Sequence, residues 1–312
     1  MAYFQLCNIF AKKISRMRIV GLGNALTDVL ARLHSDECFD EMGLLKGGMQ
    51  LIDEEKLLRI MSVFEGLETT LASGGSAANA VSGVARMGIE SGFIGKIGRD
   101  AYGRFFREDM ERNGVQTLLI EGEQASGCAM TMITPDGERT FGTFLGAAAT
   151  LCAEELSAEM FEGYDILHIE GYLVQDTSLI LRAVQLAKEV GLSVSFDMAS
   201  YNVVKDNYAI IRDLVENYVD ILFANEEEAL AYTGEEPRKA TEILSQYCRI
   251  AVVKCGAQGS FVGCEGIITE VPATPEVRVD STGAGDLYAS GFLYGLSQNC
   301  SLGVCGAIGS LF

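Results

Sequence analysis

Short β-rich runs alternate with amphipathic helical runs along most of the chain, and this alternation limits the fold more than any other feature. RIVGLG (18–23), SGFIGKIG (91–98), DILHIEG (165–171), LSVSFD (192–197), DILFAN (220–225) and IAVVKCG (250–256) read as strands. AANAVSGVARMG (77–88) sets Ala77, Ala80, Val81, Val84 and Met87 at helical spacing and ends on Gly88 as a cap. DTSLILRAVQLAKEVG, NYAIIRDLVENYV and EEEALAYTG supply further helices between the later strands. Strands that alternate with helices in this way imply an α/β fold, with a mostly parallel sheet covered on both faces.

Two stretches break the pattern. CAMTMITPDGERTFGTFL (128–145) places an Asp136-Gly137 turn between two β-rich arms, which is a hairpin signal. FDEMGLLKGGMQLID (39–53) loses its helical period at the end. Both are expected in a small second sheet built from segments near 32–53 and 116–146. The four prolines and the lack of any low-complexity linker favour one domain over residues 17–312. Residues 1–16 lack a long apolar core and a small-residue cleavage site, so they read as an extension outside the fold rather than a signal peptide.

Charge and cysteine usage narrow the function classes. With 43 acidic and 24 basic residues the net charge is −19, which repels phosphate backbones and argues against nucleic acid as a partner. Local backbone dipoles can still bind a small anion against that field. The nine cysteines are irregularly spaced without a CxxC pair, and there are two histidines, which argues against a zinc site or a disulfide framework. Reduced thiols and a cytoplasmic location are the expectation. No apolar run reaches the ~18–20 residues that a membrane span needs.

In open α/β sheets, ligands collect at the carboxyl ends of the strands. Asp28, Lys96 to Asp100, Asp197, Asn225 to Glu228 and Lys254 to Gly259 all fall at such ends, and DSTGAGD (280–286) precedes the last long helical run. A helix N-terminus offers unpaired N–H groups and the positive end of a dipole, and glycine lets backbone approach an anion closely. Gly283, Ala284 and Gly285 can therefore cradle a phosphoryl group. Asp286 in the same turn can orient a hydroxyl and take its proton. The alternative is a tight turn in which Asp286 is a plain cap. Asn225 and Glu228 suit water-mediated Mg²⁺ and equally suit a capping box. GGSAANAV (74–81) reads as close helix packing when taken alone. No GxxxxGK[ST] loop is present, and GLGNALTD (21–28) lacks the third glycine of a dinucleotide loop.

Taken together, GGSAANAVSGVARMG and DSTGAGDLYASGFLYGL resemble the two signatures of the ribokinase, or PfkB, family of carbohydrate and nucleoside kinases. GKIGRDAYG, FANEEEALAYTG and VVKCGAQGS follow in the family's order. TPDGERTFGTFLGAAATL and GYLV are most similar to the adenosine-kinase-like branch. FDMASYNVV lacks the arginine of the DxNxR run found in many sugar kinases. The resemblance implies a ribokinase-like three-layer α/β/α core with a small β-sheet lid, and an ATP- and Mg²⁺-dependent kinase.

By residue, the resemblance implies Asp286 as base and Gly283, Ala284 and Gly285 as anion hole. Asp28, Gly75 and Asn79 would bind the acceptor. Lys254, Gly256, Gly259 and Asn225 would lie by the nucleotide, and Asn225 and Glu228 near the metal. The expected acceptor is a primary hydroxyl of an adenosine-like nucleoside or a sugar. The alternatives are a kinase for a free sugar or sugar acid, or a catalytically impaired binding protein, because family members usually continue past SLGVCGAIGSLF with a tail that lines the adenine site. The only macromolecular partner expected is a second copy of the chain.

Overall fold

A computed structural model describes residues 17–36, 38–274 and 283–312. The expected extension 1–16 and Asp280 to Thr282 of the C-terminal signature lie outside the described residues.

The main sheet has nine strands. From one edge to the other they are Ile267–Val271, Ser260–Cys264, Ile250–Lys254, Ile221–Asn225, Ser193–Asp197, Ile166–Glu170, Ile19–Leu22, Ser91–Gly98 and Val115–Gly122. All neighbours from Ile250–Lys254 onward pair in parallel, while the first two strands add an antiparallel edge. The strand sequences are apolar on both faces because both faces are covered. Val20, Leu167, Leu222 and Ala251 join one buried core with the Thr177–Glu189 and Tyr208–Asn217 helices. Ile19, Ile166, Phe223 and Val252 join the other with the Ser76–Arg86, Ala101–Arg112 and Ala284–Ser297 helices. Each fully buried Phe, Leu or Ile contributes roughly 1.5–3 kcal/mol relative to exposure.

Strand order reverses at Ile19–Leu22, which lies between Ile166–Glu170 and Ser91–Gly98. This is the topological switch point, where the loops after neighbouring strands part and leave a crevice.

A second sheet of five strands has the order Met49–Leu51, Arg139–Phe144, Gly127–Ile133, Leu26–Arg32 and Thr69–Gly74. The expected hairpin about Asp136-Gly137 is present, with Cys128 opposite Phe144. Its outer face packs Val29, Met42, Leu57, Ile60, Met130 and Met132 into a separate core. Leu26–Arg32 and Thr69–Gly74 belong to this sheet although neither was expected there. Leu26–Arg32 alternates half-buried and buried residues, the period-two pattern of a one-sided strand. The expected segment 116–146 is corrected in part, since Val115–Gly122 pairs in parallel with Ser91–Gly98 in the main sheet.

Candidate active site

The two sheets face each other across a cavity of ≈ 900 Å³ over the switch point. Asp28, Gly75, Asn79, Asn225, Glu228, Lys254, Gly283, Gly285 and Asp286 all line it. Residues from five distant parts of the sequence therefore meet at one place.

Asp286 sits in the first turn of the Ala284–Ser297 helix. Its Oδ1 accepts from Ser76 Oγ at 2.7 Å and its Oδ2 from Asn79 Nδ2 at 3.0 Å. Both donors belong to the Ser76–Arg86 helix, which packs against the Asp286 helix through Ser290, whose Oγ donates to the Ala80 carbonyl at 2.8 Å. Burial pushes the Asp286 carboxyl up to about 6 and the nearby Asp197 charge adds to this. The bonds from Asn79 and Ser76 and the Lys254 ammonium act the other way.

Gly283 caps the helix with φ +72°, a left-handed backbone conformation that glycine adopts without strain. The first helical bond runs from the Leu287 N–H to the Gly283 carbonyl at 2.9 Å. The N–H groups of Ala284, Gly285 and Asp286 precede it and point out of the helix end. A Cβ placed on Gly285 would lie 3.1 Å from Lys254 Nζ, so the lysine ammonium stands directly over this turn. An oriented N-terminus with an adjacent partly buried cation fits an anionic phosphoryl group.

Lys254 Nζ is held by Asp197 Oδ2 at 2.9 Å. Burial alone would raise the Asp197 carboxyl, but the Lys254 ammonium and the Ala199 N–H outweigh it and hold the group below its ordinary value. Ala199 lines the cavity at φ +67°, a sparsely occupied region for a residue with a Cβ, and its N–H donates to Asp197 Oδ1 at 2.9 Å.

Asn225 and Glu228 form the capping box. Glu228 Oε2 accepts from the Asn225 N–H at 2.8 Å, Oε1 accepts from Asn225 Nδ2 at 2.6 Å, and Asn225 Oδ1 accepts from the Glu228 N–H at 2.8 Å. Burial, with the Asp197 charge, pushes Glu228 up to about 7. Among the described residues no group of three or more His, Cys, Asp or Glu could hold a metal ion directly. The oxygen-bearing pair of Asn225 and Glu228 fits a cation held through water, as Mg²⁺ prefers.

Asp28 lies on the small sheet facing Asp286. Burial and the Asp286 charge push it up to about 6. The neighbouring strand carries Gly74 at this point because a Cβ there would lie 2.6 Å from Asp28 Cγ. Gly256 and Gly259 are not among the cavity-lining residues. Gly259, at φ +96°, is required because a Cβ would run into the Val271 carbonyl, so tight backbone packing accounts for it. Ala284 contributes its backbone position in the helix turn rather than a lining side chain.

Three site residues escaped the sequence reading: Ser76, Asn24 and Glu170. Glu170 ends the buried strand ILHIE at the switch point, and its one acid there is a recoverable signal. Burial pushes its carboxyl up to about 7, against bonds from the Asn24 and Ala77 N–H groups.

Residues 42–312 match the pfkB family of carbohydrate kinases. The chain belongs to that family. An uncharacterized sugar kinase of Archaeoglobus fulgidus is 30% identical over 231 residues, spanning 73% of this chain and 91% of that protein. A 5-dehydro-2-deoxygluconokinase of Listeria monocytogenes serotype 4b is 30% identical over 286 residues, spanning 86% and 87% of the two chains. The solved adenosine kinase of Sinorhizobium meliloti superposes with TM-score 0.82 at 32% identity, covering 95% of this chain and 92% of that one. The ribokinase-like fold and family membership expected from the sequence therefore hold, and this PfkB-family chain is a phosphotransferase of the sugar or nucleoside kinase class.

Proposed function

We propose that this PfkB kinase transfers the γ-phosphoryl group of ATP to a primary hydroxyl of a nucleoside, with adenosine as the preferred acceptor. The observation that carries the acceptor is the apolar wall on the small sheet. Leu26, Met49, Leu51 and Phe141 line the cavity opposite the polar floor of Asn24, Asn79 and Asp286. Met49 and Leu51 are 51% and 56% exposed, so a flat apolar ligand would cover surface that water now meets. A bare sugar offers no such face, whereas a purine stacked on Phe141 gains roughly 0.5–1.5 kcal/mol beyond area burial.

The charge of the cavity supports an uncharged acceptor. Asp28, Glu170, Asp176 and Asp286 line it, and among the described lining residues the one cation, Lys254, is engaged by Asp197. A sugar acid would meet carboxylates without a partner. This favours nucleosides and neutral sugars over the acceptor named for the Listeria relative.

In this reading Asp28 and Asn24 accept bonds from the ribose hydroxyls, and Asp286 orients the primary hydroxyl. The acceptor oxygen bonds to the γ-phosphorus as the bond to the β,γ-bridging oxygen breaks, and the hydroxyl proton passes to Asp286. The N–H groups of the Gly283–Gly285 turn and the Lys254 ammonium take up the negative charge on the moving group. Asn225 and Glu228 would hold Mg²⁺ through water, and that ion would supply charge neutralisation on the nucleotide phosphates. The test is kcat/KM for adenosine, ribose and fructose at fixed Mg²⁺-ATP. Adenosine should exceed the other two, and a larger value for ribose or fructose removes the nucleoside assignment.

A further inference from the structure

Glu170 is buried at the point where the main sheet reverses its order, and it touches two separate pieces of the active site. Its Oε1 accepts from the Asn24 N–H at 2.9 Å and also from Asn24 Nδ2. Its Oε2 accepts from the Ala77 N–H at 3.1 Å. The chain is shaped around this carboxylate. A Cβ on Gly23 would lie 2.7 Å from Glu170 Cδ, and Gly75 at φ +99° brings its backbone against the Asn24 carbonyl.

Ala77 belongs to the first turn of the Ser76–Arg86 helix, whose residues Ser76 and Asn79 hold the two oxygens of Asp286. The N-cap of that helix is Gly75, which has no side chain to satisfy the orphan N–H groups. Glu170 supplies from another strand the acceptor that a capping side chain would normally provide. By accepting from the backbone N–H and the Nδ2 of Asn24, it also fixes the orientation of the amide of this cavity-lining residue.

We propose that Glu170 is a positioning residue for phosphoryl transfer: it fixes the first turn of the Ser76–Arg86 helix, and through Ser76 and Asn79 it fixes the orientation of Asp286. The proposal rests on the kinase reading of the cavity. All three partners of Glu170 are donors, so a glutamine at this position must direct its amide NH₂ at a donor and cannot reproduce the network.

The test is a double-mutant cycle in kcat on the full chain with Mg²⁺-ATP and adenosine. It compares wild type, Glu170→Gln, Ser76→Ala and the double variant, with thermal melts of each. Glu170→Gln should lower kcat by about 10–100-fold, the scale of a misplacement near 1 Å. The double variant should fall no further than the Glu170 single variant, because the Ser76 contact is one of those through which Glu170 acts. Glu170→Asp keeps the charge but withdraws the carboxyl by a methylene, so it carries the same test if the glutamine variant does not fold, and it should lose kcat equally. Wild-type kcat in a folded Glu170 variant overturns the proposal, as do losses that multiply in the double variant. A wild-type protein that transfers no phosphoryl group to any nucleoside or sugar overturns instead the reading on which the proposal rests.

Discussion

Asn79 and Asp286 stand 207 residues apart in the chain, and the Asn79 side-chain amide donates to Asp286 Oδ2 at 3.0 Å. With Ser76 on Oδ1, both carboxylate oxygens are held from one neighbouring helix. An aspartate that served only as a helix cap would bond its own first turn, whereas this one is bonded across a helix–helix contact and faces the cavity.

Asp286→Asn should cut turnover by about 10²–10⁴-fold, the usual scale for a general base, with the acceptor KM changing far less because the shape is kept. Steady-state kinetics of the purified variant check this. Near-full turnover would remove Asp286 from the reaction.

The acid limb of kcat/KM should fall near pH 6 rather than near 4. Burial raises Asp286 to about 6, so the base becomes protonated and inactive as pH drops through that value, and the rate then falls tenfold per pH unit. A profile measured from pH 5 to 8 that stays flat to pH 5 would contradict the assignment.

Asp28 provides a stability test with a definite sign. Its folded value of about 6 lies above the ordinary aspartate value of 3.8, so its contribution is complete below about pH 4 and is lost as pH rises through 6. Above pH 7 the ionised group opposes folding, and Asp28→Asn should raise the melting temperature of the ligand-free protein there. The gain is on the order of 1 kcal/mol, discounted because the carboxyl faces an open cavity. Below about pH 4 the gain should shrink towards zero. Equal melting shifts at pH 4 and pH 8 would show that the charge is not the cause.

The two glycines of the helix turn should separate in their effects. Gly283 has φ +72° and Gly285 has no positive φ. Gly283→Val should therefore destabilise the fold by roughly 1–3 kcal/mol as well as lower transfer. Gly285→Val should meet only the movable end of Lys254, keep a cooperative melt and lose transfer by filling the anion space. Thermal melts run beside activity assays distinguish them.

Much of the core was legible because strands buried on both faces carry unbroken apolar runs, and Ser91–Gly98 begins and ends where the sequence placed it. Phe141 and Phe144 also behave as a three-residue spacing in a strand requires. Phe141 lines the cavity, and Phe144 packs against the core on the far side of the small sheet. Leu26–Arg32 was missed because the strand reading stops at Gly23 and the glycine-bearing GLGNALTD that opens it is weighed as a loop. Ser76 was missed for a different reason: its partner lies 210 residues away, so no local pattern marks it. Glu170, 146 residues from Asn24, carried only the signal of a lone acid at a strand end.

The apolar wall provides a selectivity test. Phe141→Ala should lower kcat/KM for adenosine by about 3–10-fold, the loss of one stacking contact, while leaving that for ribose nearly unchanged. Equal losses for both acceptors would mean that Phe141 supports the sheet and does not meet the base.

ADP release from Mg²⁺-ATP, measured with and without adenosine on wild-type protein and on Asp286→Asn, tests phosphoryl transfer at this cavity most directly. Wild type should release ADP in proportion to adenosine consumed and form the phosphorylated nucleoside, and the variant should be slower by about 10²–10⁴-fold. ADP release that is independent of every nucleoside and sugar offered, or that persists unchanged in the variant, would contradict it.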